Sequence, residues 1–306
     1  MLILLAGATG SLGSWLIDSF LNRGHQVRVL GRNPSKLNSE KLQKLESFVQ
    51  SKTYYDIEAL DKACTGVDGV VCAYNAMPEL QLDGQLLLLR AAERAGVKRF
   101  VACTWNGDWR GMNLAEQDSY NGILSFHSHV EMTSDIKPHY IFCGVLGEVL
   151  FASKATMDFS AKHHGPWDPE AKAFEIWGTG DEPWQWTSEK DAAEFAAAII
   201  LRDDAEEGGY WTVCSGSESL KEMAAVYEKV KGTSVELRFL GPLDKLGEIA
   251  RDARAKSSPK YLWEYIGYFY YFHIATGRWL MKDLDNDKLK VKATPLAQFL
   301  QESPDI

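Results

Sequence analysis

LILLAGATGSLGSWLIDSFLNRGHQVRVLGRNPSK, residues 2–36, predicts a strand, a glycine-rich turn, a helix and a second strand. Residues 2–5 form a continuous apolar run, which is typical of a parallel strand buried on both faces. Gly7, Gly10 and Gly13 follow at once. In a dinucleotide-binding turn, such glycines allow the tight bend, the approach of backbone to a pyrophosphate and the close packing of helix on strand. The stretch therefore predicts an α/β nucleotide-binding fold.

The helix after this turn is predicted over residues 11–23, and its N-terminus would face the phosphates. Free N–H groups and the positive end of the helix dipole make such a terminus an anion-binding site. The glycine spacing is G-x-x-G-x-x-G, and a position between a first strand and a helix makes such a motif credible. We interpret the turn as a dinucleotide site. The alternative is a glycine turn in an α/β protein that binds no ligand.

Basic residues after the second strand indicate the type of dinucleotide. An acidic residue about 20 positions past the glycines would bind the ribose 2′-hydroxyl of NAD, whereas an arginine there accommodates the 2′-phosphate of NADP. The strand predicted over residues 26–30 is followed by Arg32 and Lys36, with no carboxylate between them. The sequence therefore predicts NADP(H) as cofactor. A solvated basic loop is the alternative.

Composition and charge restrict the class of protein. The chain has 306 residues, 45% of them hydrophobic, and a formal net charge of −9. Nucleic acid is not expected as a partner, because phosphate backbones are bound by basic surfaces. The five cysteines are scattered without a C-x-x-C pair, so we expect core cysteines in a reducing compartment and neither disulfides nor a metal site.

Neither an export signal nor a membrane span is expected. The chain starts at the first predicted strand, without the basic region and cleavage site of a signal peptide. The stretch 261–281 is rich in aromatic residues, but Glu264, His273 and Arg278 interrupt it, which argues against a membrane span. These features predict a cytoplasmic protein that does not bind membranes. Its oligomeric state is left open.

The alternation of strands and helices continues to about residue 150. Further strands are predicted at 53–55, 69–73, 98–103 and 139–143, with helices at 57–65, 79–95 and 120–135. Six strands alternating with helices imply a doubly wound parallel sheet. Later predicted elements are an extended segment at 184–187, helices at 188–201, 220–231 and 296–302, and a strand at 210–214.

The predicted fold class is α/β, with a doubly wound parallel Rossmann sheet and a smaller, mostly helical C-terminal substrate lobe. We expect the Rossmann domain to cover residues 1–152, with 186–216 returning to it. Residues 153–185 and 217–306 would form the substrate-binding lobe. Ligands of such sheets bind at the carboxyl ends of the strands, where this lobe would lie.

Several segments together resemble the NmrA-like and isoflavone-reductase-like group of atypical short-chain dehydrogenases. They are GATGSLGSWLIDSFLNRGHQVRVLGRNPSK at 7–36, VDGVV at 67–71, RAAERAGVKRFVAC at 90–103, GTGDEPWQWTSEKDAAEFAAAII at 178–200 and TPLAQFLQE at 294–302. The resemblance implies an NADP(H)-binding Rossmann domain and a smaller substrate lobe.

By position, the resemblance also implies a set of cofactor-binding residues. They are Gly7, Thr9, Gly10, Ser11, Leu12 and Gly13 at the pyrophosphate, Arg32 and Lys36 at the 2′-phosphate, Asp56 and Ile57 beside the adenine, Tyr74 and Asn75 from the fourth strand, Thr104 and Trp105 near the nicotinamide, and Gly144 and Val145 near the carboxamide.

One position departs from this family. Its reductases usually carry a lysine in the helix before the sixth strand, in a pattern like K-x-x-V-E, and here His127 takes the place of that lysine. The Tyr-x-x-x-Lys pair of ordinary short-chain dehydrogenases is also missing, since Leu124 stands four places after Tyr120. The catalytic candidates are therefore His127, which can act as acid or base near neutral pH, together with Tyr120 and Thr104. A purely structural histidine is the alternative.

The loop after the fifth strand, residues 104–118, is expected to contact substrate through Trp105, Asn106, Asp108 and Trp109. Aromatic linings suit planar or bulky apolar ligands. Further tryptophans occur between residues 167 and 186, and they either line the pocket or pack the small lobe. The expected substrate is a hydrophobic, aromatic or polycyclic small molecule.

Three functions remain open at the level of sequence. The first is an NADP(H)-dependent oxidoreductase of such a molecule, in specialised metabolism. The second is an enzyme that retains its cofactor and catalyses a rearrangement, cyclisation or isomerisation without net redox change, because the usual lysine is absent. The third is a redox sensor of the NmrA type that binds NADP(H) without catalysis.

Overall fold

The computed structural model describes residues 1–75, 77–153 and 157–306. The strands in these ranges are β1 Leu2–Ala6, β2 Gln26–Gly31, β3 Ser47–Gln50, β4 Gly69–Cys72, β5 Arg99–Val101, β6 His139–Phe142, β7 Val145–Leu146, β8 Trp167–Asp168, β9 Ala173–Trp177, β10 Pro183–Thr187, β11 Gly209–Thr212, β12 Gly216–Ser219 and β13 Glu236–Gly241.

The α-helices of the same ranges are α1 Ser11–Asn22, α2 Ser39–Lys44, α3 Ile57–Cys64, α4 Gln85–Arg94, α5 Asn121–Thr133, α6 Gly147–Leu150, α7 Glu189–Ile200, α8 Leu220–Lys231, α9 Leu243–Lys256, α10 Ile266–Ala275, α11 Asn286–Leu289 and α12 Leu296–Glu302. Shorter helical pieces are a π-helical turn at Leu80–Gly84 and 3₁₀ turns at Pro34–Lys36, Asp118–Tyr120, Ala161–His163, Ala205–Glu207 and Pro259–Glu264.

The main sheet has seven strands in the order β11-β6-β5-β4-β1-β2-β3. Neighbouring strands all run parallel. This order changes direction between β1 and β4, so the crevice at the carboxyl ends of these two strands is the expected ligand position in an open α/β sheet. The predicted doubly wound Rossmann sheet is thereby confirmed.

The third strand was predicted at the wrong place. Residues 53–55 form no strand, and Ser47–Gln50 pair with β2 instead. The physical reason is the cap of the next helix, since Asp56 ends the turn and accepts the N–H group of Ala59. That cap holds the two tyrosines before it, Tyr54 and Tyr55, in a turn.

The helix predicted over residues 79–95 begins as a wider π-helical turn at Leu80–Gly84. Gln85, where the α-helix starts, is fully buried, and its side-chain oxygen accepts the N–H group of Cys103 at 2.5 Å. This hydrogen bond ties the helix to the segment that leaves β5. It helps to fix the carboxyl end of that strand.

The main core lies between the seven-stranded sheet and its helices. Residues 3–6 of β1 are fully buried, as expected for a central parallel strand covered on both faces. On one face, α1 buries Leu16, Ile17 and Phe20 and packs against α7. The N-termini of α1 and α7 meet beside the glycine-rich turn, where the hydroxyl of Ser11 donates to the carboxylate of Glu189.

The residues after Gly144 build two small sheets, β12-β10-β7 and β13-β9-β8. The extended segment predicted at 184–187 lies in β10, and the pairing of these strands into sheets was not predicted. A second core packs these sheets against α8, α10 and α12. Trp167, Trp184 and Trp186 are at most 1% exposed there, so these three tryptophans pack this core. The unpredicted helix α9 covers a third, smaller cluster with α10.

Within the aromatic stretch 261–281, the α-helix covers Ile266–Ala275. No helix in the described part of the chain is long and apolar enough to cross a membrane.

Candidate cofactor and active site

The glycine-rich turn is too tight for side chains at two of its three glycines. Gly7 has a φ of +89°, and a Cβ atom on it would lie 2.1 Å from the carbonyl oxygen of Ala73. A Cβ atom on Gly13 would lie 2.4 Å from the carbonyl oxygen of Gly7. Gly10 is exposed, and a Cβ there would meet its nearest neighbour only at 3.4 Å. The turn is therefore a compact cradle whose open side is at Gly10.

The N-terminus of α1 completes this cradle. Its N-cap is Gly10, no side chain caps it, and the first turn holds no acidic residue. The backbone N–H groups of Ser11 and Leu12 start the helix, beyond the half-buried Thr9. An uncapped terminus of this kind binds anions. The predicted pyrophosphate residues thus lie together, and they fit a dinucleotide.

Two glutamates approach the same turn from α6 and α7. Glu189 accepts a hydrogen bond from the hydroxyl of Ser11, and its own backbone N–H donates to the Glu148 carboxylate at 2.9 Å. Burial raises the pKa of Glu189 to about 7. Burial, and the neighbouring charge of Glu189, raise the pKa of Glu148 to about 8. Sequence reasoning missed both residues, because no spacing in the chain links them to the turn.

Arg32 follows β2 and is exposed. No carboxylate in the described residues forms an ion pair with Arg32 or with Lys36. The guanidinium of Arg32 lies 4.9 Å from the ring centre of Tyr54, within the range of a cation–π contact. The arrangement leaves two cations free to bind an anion beside an aromatic ring.

Tyr54 was missed by the sequence analysis because its segment was read as a strand. Its ring packs edge-on against Tyr74, with 5.2 Å between the ring centres. Tyr74 is buried just past the end of β4, and the next residue, Asn75, is exposed. Tyr74 and Asn75 are thus on the Arg32 side of the crevice.

Asp56 and Ile57, expected beside an adenine, lie at the start of α3. The carboxylate of Asp56 accepts the N–H groups of Lys52 at 2.9 Å and Ala59 at 3.3 Å, and these hydrogen bonds lower its pKa. Ile57 is 42% exposed. Asp56 therefore has a structural task, while Ile57 offers an apolar surface.

Thr104 lies at the carboxyl end of β5 and is fully buried. Its hydroxyl accepts the N–H group of Ile141 at 2.8 Å. Two residues later, the carbonyl of Asn106 accepts the N–H group of Cys143 at 3.0 Å. The loop thus prolongs the pairing of β5 with β6, and the Thr104 side chain serves that pairing.

Gly144 follows β6 in the left-handed region, with a φ of +65°. A Cβ atom on it would lie 2.1 Å from the carbonyl oxygen of Gln185. Val145 comes next and enters β7, which pairs with β10. The two residues expected near a carboxamide therefore form the joint between the main sheet and the first small sheet.

His127 lies within a group of aromatic rings that we call the Trp109 cluster, made of Trp109, His127, Tyr140, Phe142 and Tyr210. Its Nε2 atom is 2.5 Å from the hydroxyl of Tyr210, and its ring centre is 5.1 Å from those of Trp109 and Tyr140. Burial lowers the pKa of His127. The carboxylate of Glu131 lies 3.4 Å from the same Nε2 atom, so the imidazole has both a phenol and a carboxylate beside it.

Asp108 and Arg110 close the Trp109 cluster on its outer side. Their side chains form an ion pair at 2.6 Å. The guanidinium of Arg110 lies 5.0 Å from the ring centre of Phe142 and 5.5 Å from that of Tyr210. Asp108 is therefore committed to a cation that covers the rings.

Tyr120 belongs to a different group, the Trp279 cluster, made of Tyr120, Tyr270, His273 and Trp279. Tyr120 is fully buried and stacks on Trp279 with 5.1 Å between ring centres. The indole of Trp279 also covers Gly107, where a Cβ atom would lie 2.7 Å from it. This cluster joins the 104–118 loop to α10 and the segment behind it.

The structure thus separates the three catalytic candidates. His127 and Trp109 share one cluster, Tyr120 lies in the other, and Thr104 pairs with β6. Trp105 is 8% exposed, and its Nε1 atom has no hydrogen-bond partner among the described residues. The aromatic composition of 261–281 indicated that Trp279 would take part in packing, but no pattern in the sequence indicated that it would contact the 104–118 loop.

No group of three or more His, Cys, Asp or Glu side chains in the described ranges could hold a metal ion. The five cysteines are all free and buried.

Comparison with known proteins adds relatives of similar length. The chain is 26% identical over 279 residues to a bifunctional pinoresinol-lariciresinol reductase from Linum perenne, covering 88% of this chain and 85% of the relative. It is 24% identical over 305 residues to another such reductase from Linum usitatissimum, covering 96% and 93%.

A solved structure shares the fold. The complex of leucoanthocyanidin reductase with NADPH from Vitis vinifera superimposes with a TM-score of 0.76 at 18% identity, covering 99% of both chains. The model of the NmrA-like family matches residues 1–300. With its parallel sheet, its glycine cradle and this match over nearly its whole length, the chain belongs to the NmrA-like family.

Proposed function

We propose that this protein is an NADP(H)-dependent oxidoreductase that reduces an aromatic or polycyclic small molecule. The observation that carries the proposal is that Arg32 and Lys36 have no carboxylate partner among the described residues, and that they follow β2, the strand beside β1 and its glycine cradle. The relatives support the substrate class, since they are named as reductases of pinoresinol and lariciresinol.

Different residues would bind the different parts of the dinucleotide. The turn Gly7–Gly13 and the N-terminus of α1 would bind the pyrophosphate through backbone N–H groups. Arg32 and Lys36 would bind the 2′-phosphate, which a guanidinium can hold with two parallel hydrogen bonds. Tyr54 and the exposed Ile57 would contact the adenine. NADPH, when bound, supplies the hydride, and the protein contributes position and a proton.

For the proton, we assign the task to His127. Burial lowers its pKa while the Glu131 carboxylate opposes that shift, and Tyr210 lies at hydrogen-bond distance from Nε2. Such a pair can accept or donate a proton. Thr104 would act by ordering the β5–β6 edge, and Tyr120 by shaping the pocket together with Trp279.

For the substrate, we propose contact with the loop at residues 104–118, which takes part in both clusters. Trp105, Asn106 and Trp109 would contact the ligand, while Asp108 would hold Arg110 in place. We further propose that 153–185 and 217–306 form the substrate lobe. The return of 186–216 to residues 1–152 is supported by β11 in the main sheet and by α7 against α1.

The test is turnover with both nicotinamide cofactors and a panel of lignans and flavonoids. We expect NADPH to be consumed in step with product and NADH to bind far more weakly. Equal affinity for the two cofactors would exclude the role given to Arg32 and Lys36. In this assay His127→Ala should lower kcat while the affinity for NADPH stays unchanged.

A second function is favoured by one observation, the histidine at the position of the family lysine. An enzyme that keeps its cofactor and rearranges its substrate would form product without consuming NADPH. Product formation at constant NADPH would select that function. Binding of NADPH without turnover of any compound, together with cofactor-dependent capture of a protein partner, would select a redox sensor.

A further inference from the structure

Glu189 is a buried carboxyl group placed under a phosphate-binding turn. It is 4% exposed, and it accepts the hydroxyl hydrogen bond of Ser11, the first residue of α1. The same helix end would face the two negative charges of a diphosphate. A carboxylate there opposes an anion, because like charges that are shielded from water repel strongly.

We propose that Glu189 is a positioning residue of the dinucleotide site, and that it takes up one proton from solvent when the dinucleotide binds. The neutral carboxyl group still accepts the Ser11 hydrogen bond, and no charge then opposes the phosphates. This inference rests on the proposed NADP(H) site. It adds that binding is coupled to a proton.

The groups around Glu189 allow this change. Glu148, from α6, accepts the backbone N–H of Glu189, and its own pKa of about 8 leaves it mostly neutral at pH 7. Asp191, in the same first turn of α7, is held by hydrogen bonds from Ser215 at 2.6 Å and from the backbone of Thr294 at 2.7 Å.

The cations recorded nearby are already bonded elsewhere. The ammonium of Lys41, on α2, donates to the side chains of Ser14 and Asp18 on α1, both at 2.6 Å. Lys190 points to Glu302 at 3.3 Å. No ion pair to Glu189 occurs in the described residues, and burial raises its pKa to about 7. Negative charge brought close to Glu189 would therefore increase the protonated fraction of this carboxyl group at physiological pH.

The first experiment measures proton uptake directly. NADPH is titrated into the protein at pH 7 by calorimetry in two buffers of different ionisation enthalpy. We expect the wild type to take up about half a proton per NADPH, because a group of pKa near 7 is half ionised there. Glu189→Gln should take up almost none. Glu194→Gln is the matched control, since Glu194 is on the same helix but pairs with Arg23.

The second experiment measures the dissociation constant of NADPH between pH 7 and pH 9, above the ionisation of a phosphate monoester near pH 6. We expect wild-type affinity to fall about tenfold or more over this range, and that of Glu189→Gln to fall clearly less, since of the two glutamates only Glu148 then still ionises beside the turn. Ser11→Ala removes a hydrogen bond that stabilises the charged carboxylate, so the fall should begin at higher pH.

The outcomes separate this inference from the function on which it rests. Proton uptake that persists in folded Glu189→Gln, or an absence of uptake in wild type that binds NADPH, overturns the inference alone. If the wild type binds no NADPH at all, the proposed function fails first and the inference fails with it. Circular dichroism and a melting curve show that each variant is folded before it is titrated.

Discussion

Arg28 and Arg32 are four residues apart, yet only one of them is free to bind a ligand. Arg28 pairs with Glu46 at 2.9 Å and donates to the carbonyls of Ala63 and Thr65. Arg32 has an aromatic ring as its neighbour and no carboxylate. Sequence position predicted Arg32 as the cofactor residue, but only the contacts show that Arg28 holds β2 to its neighbours.

Replacing Arg32 should therefore change cofactor choice more than stability. Arg32→Ala removes a charge-assisted contact of about 1.5–3 kcal/mol, so affinity for NADPH should fall about tenfold or more. Affinity for NADH should change little, because it has no 2′-phosphate. Fluorescence titration with both cofactors measures the two effects.

Lys44→Ala is the matched control, since Lys44 is exposed on α2 and pairs with Glu40. It should leave both affinities unchanged. An equal loss for NADPH and NADH in Arg32→Ala would contradict the assignment of this residue to the 2′-phosphate.

His127 marks the limit of inference from position alone. The family pattern placed it where a lysine usually stands, and the structure surrounds it with aromatic rings and the Tyr210 hydroxyl. Tyr210 is on a strand that the sequence predicted, but pairing across the sheet decides which side chains meet. A contact between residues 127 and 210 has no signature in either segment.

Among the elements, prediction succeeded where a local pattern sufficed. The apolar run of β1, the turn and α1 follow from hydrophobic periodicity and glycine spacing, and α8 and α12 begin and end as predicted. Prediction failed at β3, where a helix cap took residues 53–56, and at the small sheets, whose two- to six-residue strands depend on partners distant in the chain. For the same reason the glycine-rich turn and the helix after it were predictable, and the contact of Glu189 with Ser11 was not.

The pairing of β6 with β11 contains a histidine that is stable only when neutral. His139 accepts the indole N–H of Trp211 at Nδ1, at 3.0 Å, while Nε2 donates to the carbonyl of Ala205 at 2.8 Å. Burial lowers the pKa of His139 to about 4. Protonation would replace the acceptor at Nδ1 with a second donor.

The free energy of unfolding should therefore decrease as the pH falls below about 6.5. The unfolded histidine binds a proton from that pH downward, whereas the folded one does so only near pH 4. At pH 5 the contribution of His139 is about 2 kcal/mol at most. Urea denaturation of the wild type and of His139→Gln measures it as the difference between their pH slopes.

His163→Gln, in an exposed 3₁₀ turn, should keep the wild-type slope. If His139→Gln keeps it too, the neutral form of His139 is not required for stability.

In the whole molecule, the Trp279 cluster joins the main sheet to the C-terminal part. Trp279 is 5% exposed, and its indole covers Gly107 and stacks on Tyr120. A few residues further, Met281 and Gln185 exchange hydrogen bonds at 2.7 and 2.8 Å. The segment that follows α10 in the chain thus packs against the loop that follows β5.

Trp279→Ala should destabilise the protein by about 3–5 kcal/mol, the usual cost of removing a buried aromatic ring. It should also speed proteolysis within residues 104–118, since that loop loses its cover. Chemical denaturation and limited proteolysis measure the two effects.

Trp15→Ala provides the comparison, because Trp15 is 40% exposed on α1. It should cost about 0.5 kcal/mol or less. Similar losses in the two variants would mean that Trp279 does not hold the loop.

The pairing of β11 with β6 also determines when the sheet can be completed during synthesis of the chain. Tyr210 lies opposite Tyr140, so the ribosome must add some seventy residues after β6 before its outer edge can be closed. Strands β7 to β10 of the two small sheets are made in that interval. Until then a nascent chain presents an aromatic strand with open backbone groups, which is a surface prone to wrong association. Chains that stall before residue 209 should therefore be the ones that chaperones retain.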